Sequence, residues 1–134
     1  MQQSLFDIAP TDSLPVEATP LDQRIYGLLQ QHHGRRAAIS MDSLANLCQV
    51  STREIQDAIA NMVIAYRIPI GSTSSADRSG YYLIADRAEA AVVYASLKGR
   101  ALAILKRASV IGKISSADLL REIQSEFDLN VRSS

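Results

Sequence analysis

Tryptophan is absent and aromatic residues make up only 5% of the 134-residue chain. There is a single cysteine, Cys48. One thiol forms no internal disulfide and supplies no cysteine-rich zinc site. An excess of either charge is missing as well, since 14 Lys+Arg balance 14 Asp+Glu. Overall charge therefore cannot hold the chain on a polyanion, and any nucleic-acid contact must come from a local patch. No apolar run approaches the roughly 18 residues of a membrane span. The first residues show no basic region followed by an apolar stretch, so the expectation is a cytoplasmic protein without membrane partners.

The usual marks of catalysis are missing too. There is no Cys-His pair, no Gly-x-Ser-x-Gly elbow and no phosphate-binding glycine spacing around Gly71 or Gly80. His32 and His33 stand beside Gly34 at a helix end with no third ligand near them in sequence, so no metal or other cofactor is expected. Glu54 and Asp57 are close on a helix, but capping accounts for the first, which leaves no pair for acid–base work. An enzyme is not expected.

What is present is enough for a core. Hydrophobic residues make up 47% and charged residues 21%, which excludes wholesale disorder and suits one small domain with extensions. Residues 1–20 carry Pro10, Pro15 and Pro20, three acids and no base, and read as a flexible arm. From residue 21 the pattern turns helical, with Ile25, Leu28 and Leu29 behind Asp22 and a stop at Gly34. A short extended piece, 37–40, leads to a helix with Leu44, Ala45, Leu47 and Cys48. Gln49-Val50 make a tight connection. Ser51-Thr52-Arg53-Glu54 is then a capping box, opening a helix with Ile55, Ala58, Ile59, Met62 and Val63 on one face. Two short strands around a Ser/Gly loop follow, Pro69 marking an edge strand. Of Tyr81 and Tyr82, which alternate, one is expected to pack and the other to face solvent or DNA.

Asp86 and Glu89 start a long helix ending near Gly112. Along it Ala90, Tyr94, Leu97, Ala101, Ile104, Ala108 and Ile111 recur at steps of four and three, a heptad-like seam suited to self-association. Packing back on the chain's own domain is the alternative. Lys98, Arg100, Lys106, Arg107 and Lys113 form a basic flank. Ser115 to Asp118 cap a short amphipathic helix with Leu119, Leu120, Ile123 and Phe127.

The order helix, short strand, helix, turn, helix, hairpin over residues 21–85 is what a winged helix-turn-helix needs. The run from Met41 to Gln56 resembles a helix-turn-helix of the bacterial and phage winged-helix DNA-binding family, most sharply in Leu44-Ala45 followed by Val50-Ser51-x-Arg53. Tyr66 to Ser72, followed by Gly80 to Ile84, resembles that family's wing. The likeness covers about half of the chain. Cys48 is a departure, because many such motifs have glycine before the turn; it puts the turn geometry in question.

The resemblance implies a mainly α fold with a small β-hairpin wing, to which the periodicity after Asp86 adds a long C-terminal helix. The divisions are a 1–20 arm, a 21–85 winged domain, an 86–113 long helix suited to dimerisation, and a short 114–134 helix and tail. The resemblance also implies binding of double-stranded DNA by a recognition helix, 51–65, and a wing, 68–84; the seam and the charge balance point to a homodimeric transcriptional regulator. Arg53 suits guanine and Gln56 suits adenine. Ser51 and Thr52 put hydroxyls and a helix N-terminus near a phosphate. Asn61, Arg35, Arg36 and Arg78 are further candidate contacts, while Asp57 on the same face repels phosphate unless it meets a cytosine amino group. Residues 22–85 hold six bases and five acids, so one copy alone offers few phosphate contacts.

Two other readings stay open. Gln2-Gln3-Ser4-Leu5-Phe6 resembles the peptide by which replication proteins dock on the DNA polymerase sliding clamp, with Leu5 and Phe6 in an apolar pocket, Gln2 in polar contact at the rim and Ser4 a further partner-binding residue of the motif. That would make the chain a replication adaptor of a bacterium, phage or mobile element. Alternatively the winged helix serves protein contacts only.

Overall fold

The computed structural model of the protein describes residues 13–74 and 79–133. Two compact units divide the chain, Met1–Ala90 and Ala91–Ser134. The first contains helix α1 (Pro20–Leu29), a 3-10 turn (Arg35–Ala37), strand β1 (Ile39–Ser40), α2 (Met41–Cys48), α3 (Thr52–Ile64), β2 (Ile70–Ser74) and β3 (Ser79–Leu83). Helix α4 (Arg87–Gly112) begins there, and α5 (Ser116–Ser133) lies in the second unit. The fold is mainly α, with a small antiparallel hairpin wing and a long C-terminal helix, as the resemblance implies.

Apolar residues at helical spacing close the three-helix core. Ile25 and Leu29 of α1, Leu44 of α2 and Ile55 and Met62 of α3 are fully buried, joined by Ile59, Ile68, Ile39 and Leu83. Each such side chain contributes about 1.5–3 kcal/mol relative to exposure.

The start of α1 differs from the sequence expectation. Asp22 does not precede the helix but is its third residue, and Thr19 is the cap. Thr19 Oγ1 accepts from the Asp22 amide at 3.0 Å and Asp22 Oδ2 accepts from the Thr19 amide at 3.0 Å. Pro20, lacking an N–H, fits the first helical position. Within the stretch read as an arm, Leu14 packs against the core and Ala18 is buried, so residues 13–19 lie on the domain.

The turn between α2 and α3 is made without glycine. Gln49 takes the left-handed conformation, with φ 57°. The Val50 amide donates to the Ala45 carbonyl at 3.0 Å and the Gln49 amide to that of Asn46 at 3.3 Å. This is a Schellman closure, with Val50 turned onto the core. Cys48 therefore needs no special conformation; the strained position is the next one. Gln49→Gly is expected to raise stability by about 1 kcal/mol by removing that strain. A urea midpoint that stays put or falls would show that Gln49 is under no strain.

The sheet order is β1-β3-β2, antiparallel throughout, which makes β2 an edge strand behind Pro69. Gly34, at φ 87°, lets the chain leave α1 so that its amide meets the Leu83 carbonyl at 2.8 Å. Both tyrosines of β3 pack. Tyr81 is half-buried, its hydroxyl 4.0 Å from Met41 Sδ, while Tyr82 is 2% exposed and lies over Gly71. Burial raises the pKa of both phenols; at Tyr82 the Glu89 charge adds to the shift and Arg35 opposes it.

Asp86 caps α4, its Oδ1 accepting from the Glu89 amide at 2.8 Å. Glu89 in turn accepts from the Ala85 and Arg35 amides, both at 2.9 Å, and so ties the first turn of α4 to the 3-10 turn. α4 ends in another Schellman closure, with Lys113 at φ 54° and the Ile114 amide 3.1 Å from the Ser109 carbonyl. Where a short helix and a tail were expected, α5 runs for 18 residues. Ser115 caps it, and the pairs Asp118–Arg121 and Gln124–Asp128 support its exposed side.

Candidate nucleic-acid interface

The capping box read from the sequence opens α3. Ser51 Oγ accepts from the Glu54 amide at 3.1 Å and Glu54 Oε2 accepts from the Ser51 amide at 2.9 Å. That engages one lone pair of the Ser51 oxygen, leaves its O–H free to donate, and fixes the Glu54 carboxylate at the helix start. Thr52 is half-buried. Ile55, Ile59 and Met62 turn inward, and Arg53, Gln56, Asp57, Ala60 and Asn61 are exposed. Among the described residues the side chains of Arg53, Gln56 and Asp57 enter no hydrogen bond or ion pair.

Asn61 is exposed on α3. Near it, desolvation first and then Asp22 raise the pKa of the half-buried Tyr66 phenol, while the Asn61 amide opposes the shift.

Arg35 and Arg36 are exposed on the 3-10 turn, which packs beside β2 and β3; they belong to the wing side of the domain and not to α3. Arg24 is taken up elsewhere, since its Nη2 donates to the Leu47 carbonyl at 2.7 Å, a cation on the last turn of α2. Beside it, burial pushes the Cys48 thiol up while the Arg24 charge and hydrogen bond pull it down. A thiol held protonated is a poor nucleophile. His32 Nδ1 lies 2.7 Å from the Ala37 carbonyl, which only accepts, so that nitrogen carries the proton. Among the described residues no three His, Cys, Asp or Glu side chains come together to hold a metal, and no helix is long and apolar enough to cross a membrane.

Arg78 at the hairpin tip lies outside the described residues, as do Gln2, Ser4, Leu5 and Phe6 of the clamp-like peptide. One residue of α3 escaped the sequence reading. Ile64 is 80% exposed, an isoleucine on the same outward line as Arg53 and Asp57. The helical step from 53 through 57 and 60 to 64 was the available signal.

In the second unit the seam residues from Tyr94 onward, Leu97, Ala101, Ile104, Ala108 and Ile111, are all exposed, as is Ala90 at the edge of the first. Ile111 is 82% exposed and Ile104 is 59% exposed. On α5, Leu120, Ile123 and Phe127 are likewise exposed.

No family model matches the chain, and no curated protein matches it. Among solved structures, it is similar to MepR, a transcription regulator of the Staphylococcus aureus multidrug efflux pump MepA, at 12% identity and a TM-score of 0.41, over 88% of this chain and 82% of that one. It is similar to the adhesin competence repressor of Streptococcus pyogenes at 16% identity and a TM-score of 0.41, over 88% and 80%. A third likeness is to ZitR of Lactococcus lactis, at 15% identity and a TM-score of 0.40, over 92% and 79%.

Proposed function

We propose that the chain is a non-catalytic protein that binds double-stranded DNA as a homodimeric transcriptional regulator, laying α3 in the major groove with the wing alongside. One observation carries this reading. α3 spends its isoleucines and Met62 on the core and leaves Arg53 and Gln56 outward with no partner among the described residues. A guanidinium fork and an amide held off the protein on a convex helix are the groups that pair with guanine and adenine edges. Arg35 and Arg36 supply phosphate contacts from the wing side.

The charge balance favours a dimer. One copy has about one net positive charge over residues 22–85, too little for strong phosphate binding. Two copies double the contacts and read half-sites about 34 Å apart. The exposed seam on α4 gives the surface for that pairing.

The test is duplex affinity at two salt concentrations. Arg53→Ala is expected to weaken binding to the preferred duplex by roughly 10- to 100-fold, the worth of a bidentate base contact. Its salt dependence should change little, whereas Arg36→Ala should lower the salt slope by about one. Equal affinity of Arg53→Ala and the parent at both salts overturns the reading, and leaves a winged helix used for protein contacts.

A further inference from the structure

We infer that Asp57 is a sequence-discriminating residue of α3, accepting a hydrogen bond from the exocyclic amino group of a cytosine in the groove. This rests on the DNA-binding reading above and concerns what that helix selects.

The direction of each side chain decides the matter. Residues on an α-helix advance by about 100° each. The buried trio Ile55, Ile59 and Met62 defines the inward side of α3. Asp57 and Ile64 project nearly opposite that trio, Arg53 and then Ala60 follow on the side nearer Gln56, and Gln56 sits about a quarter turn away. The residue aimed most directly outward in the first two turns is therefore an acid, not the arginine or the glutamine.

Asp57 is also uncommitted. The other acid of α3, Glu54, is held by the Ser51 amide. Arg53 is four residues before Asp57, a spacing that permits an ion pair, yet the ion pair found among the described residues is Arg121–Asp118. Both charges are thus presented outward separately.

A carboxylate near phosphate is repelled, so this face approaches DNA only where Asp57 points at the groove floor and away from both backbones. The donors on that floor are the amino groups of cytosine and adenine. A carboxylate accepts from cytosine N4, while the neighbouring adenine N7 is an acceptor that repels it. Arg53, one turn earlier, takes guanine O6 and N7. Ala60 and Ile64 continue the line with methyl groups alone, the chemistry that meets a thymine methyl. Asp57 thus lowers affinity for most duplexes and is compensated on those with a cytosine at its position.

The experiment is selection from a randomised duplex pool, followed by titration of single duplexes, with the parent protein, Asp57→Ala and Asp57→Asn. The parent is expected to enrich cytosine at one position of each half-site. Asp57→Ala should lose that preference by roughly tenfold, leave the other positions as they were, and bind an unrelated duplex several-fold more tightly. Asp57→Asn should move the same position towards adenine, the base an amide pairs with. Asp57 is exposed, so circular dichroism of both variants should match the parent. An Asp57→Ala pool with every preference intact overturns the inference while DNA binding stands. A parent protein that captures no duplex overturns the DNA-binding reading itself.

Discussion

Gly71→Val is expected to cost the domain about 3 kcal/mol and to lower its urea midpoint accordingly. Gly71 is paired with Tyr82 across the hairpin. A Cβ placed on Gly71 would stand 2.4 Å from Tyr82 Cζ and 2.6 Å from its hydroxyl oxygen. The ring has nowhere to withdraw, because Tyr82 is buried on all sides. Either the hairpin opens or the ring is driven out of its site, and both forfeit packing. Tyr82→Ala alone should cost about 3–5 kcal/mol. Because the two residues share one volume, the double variant should cost less than the sum of the singles by 1 kcal/mol or more. Strict additivity, or an unchanged midpoint for Gly71→Val, would show that the ring does not depend on the missing side chain.

Ile104→Glu should leave the chain folded and separate the dimer by more than 100-fold, giving a monomer at tens of micromolar in sedimentation or light scattering. Ile104 is exposed in the single chain, so a charge there costs the fold little. In a paired seam the same carboxylate is buried without a partner, a penalty of several kcal/mol. DNA affinity should fall with it, because two half-sites are then no longer held together. The case for pairing is stronger than the seven-residue seam alone. Val92 and Val110 are exposed away from the seam, as is Leu102, so α4 presents bare apolar side chains on more than one face. A helix of that kind is normally covered. A parent protein that is itself monomeric, or an Ile104→Glu protein with the parent's mass, would remove the seam as the interface.

Much of the first unit was legible in the sequence because its signals are local. The capping box of α3, the isoleucine spacing behind it and the Asp86–Glu89 start of α4 each involve residues within one or two helical turns. What escaped is set by tertiary contact. A glutamine at position 49 gives no sign of a left-handed backbone; that conformation is imposed by the Val50 amide reaching the Ala45 carbonyl while Val50 seats on the core. Arg24 is one of the six bases counted over residues 22–85, and nothing near it in sequence shows that it is spent on the Leu47 carbonyl, 23 residues away. Asp22 looked like the cap of α1 because a single acid before an apolar run has that meaning, but Thr19 and Pro20 fit the positions better. At the candidate interface, residue types point to Arg53 and Gln56, while the buried trio of α3 places Asp57 and Ile64 opposite the core.

The Glu89 carboxylate, which accepts from the Ala85 and Arg35 amides, bears on how the domain breathes. The first turn of a helix ordinarily frays early. Here the opening of α4 is tied to the 3-10 turn 54 residues earlier, so the amides at those two places should exchange with solvent together.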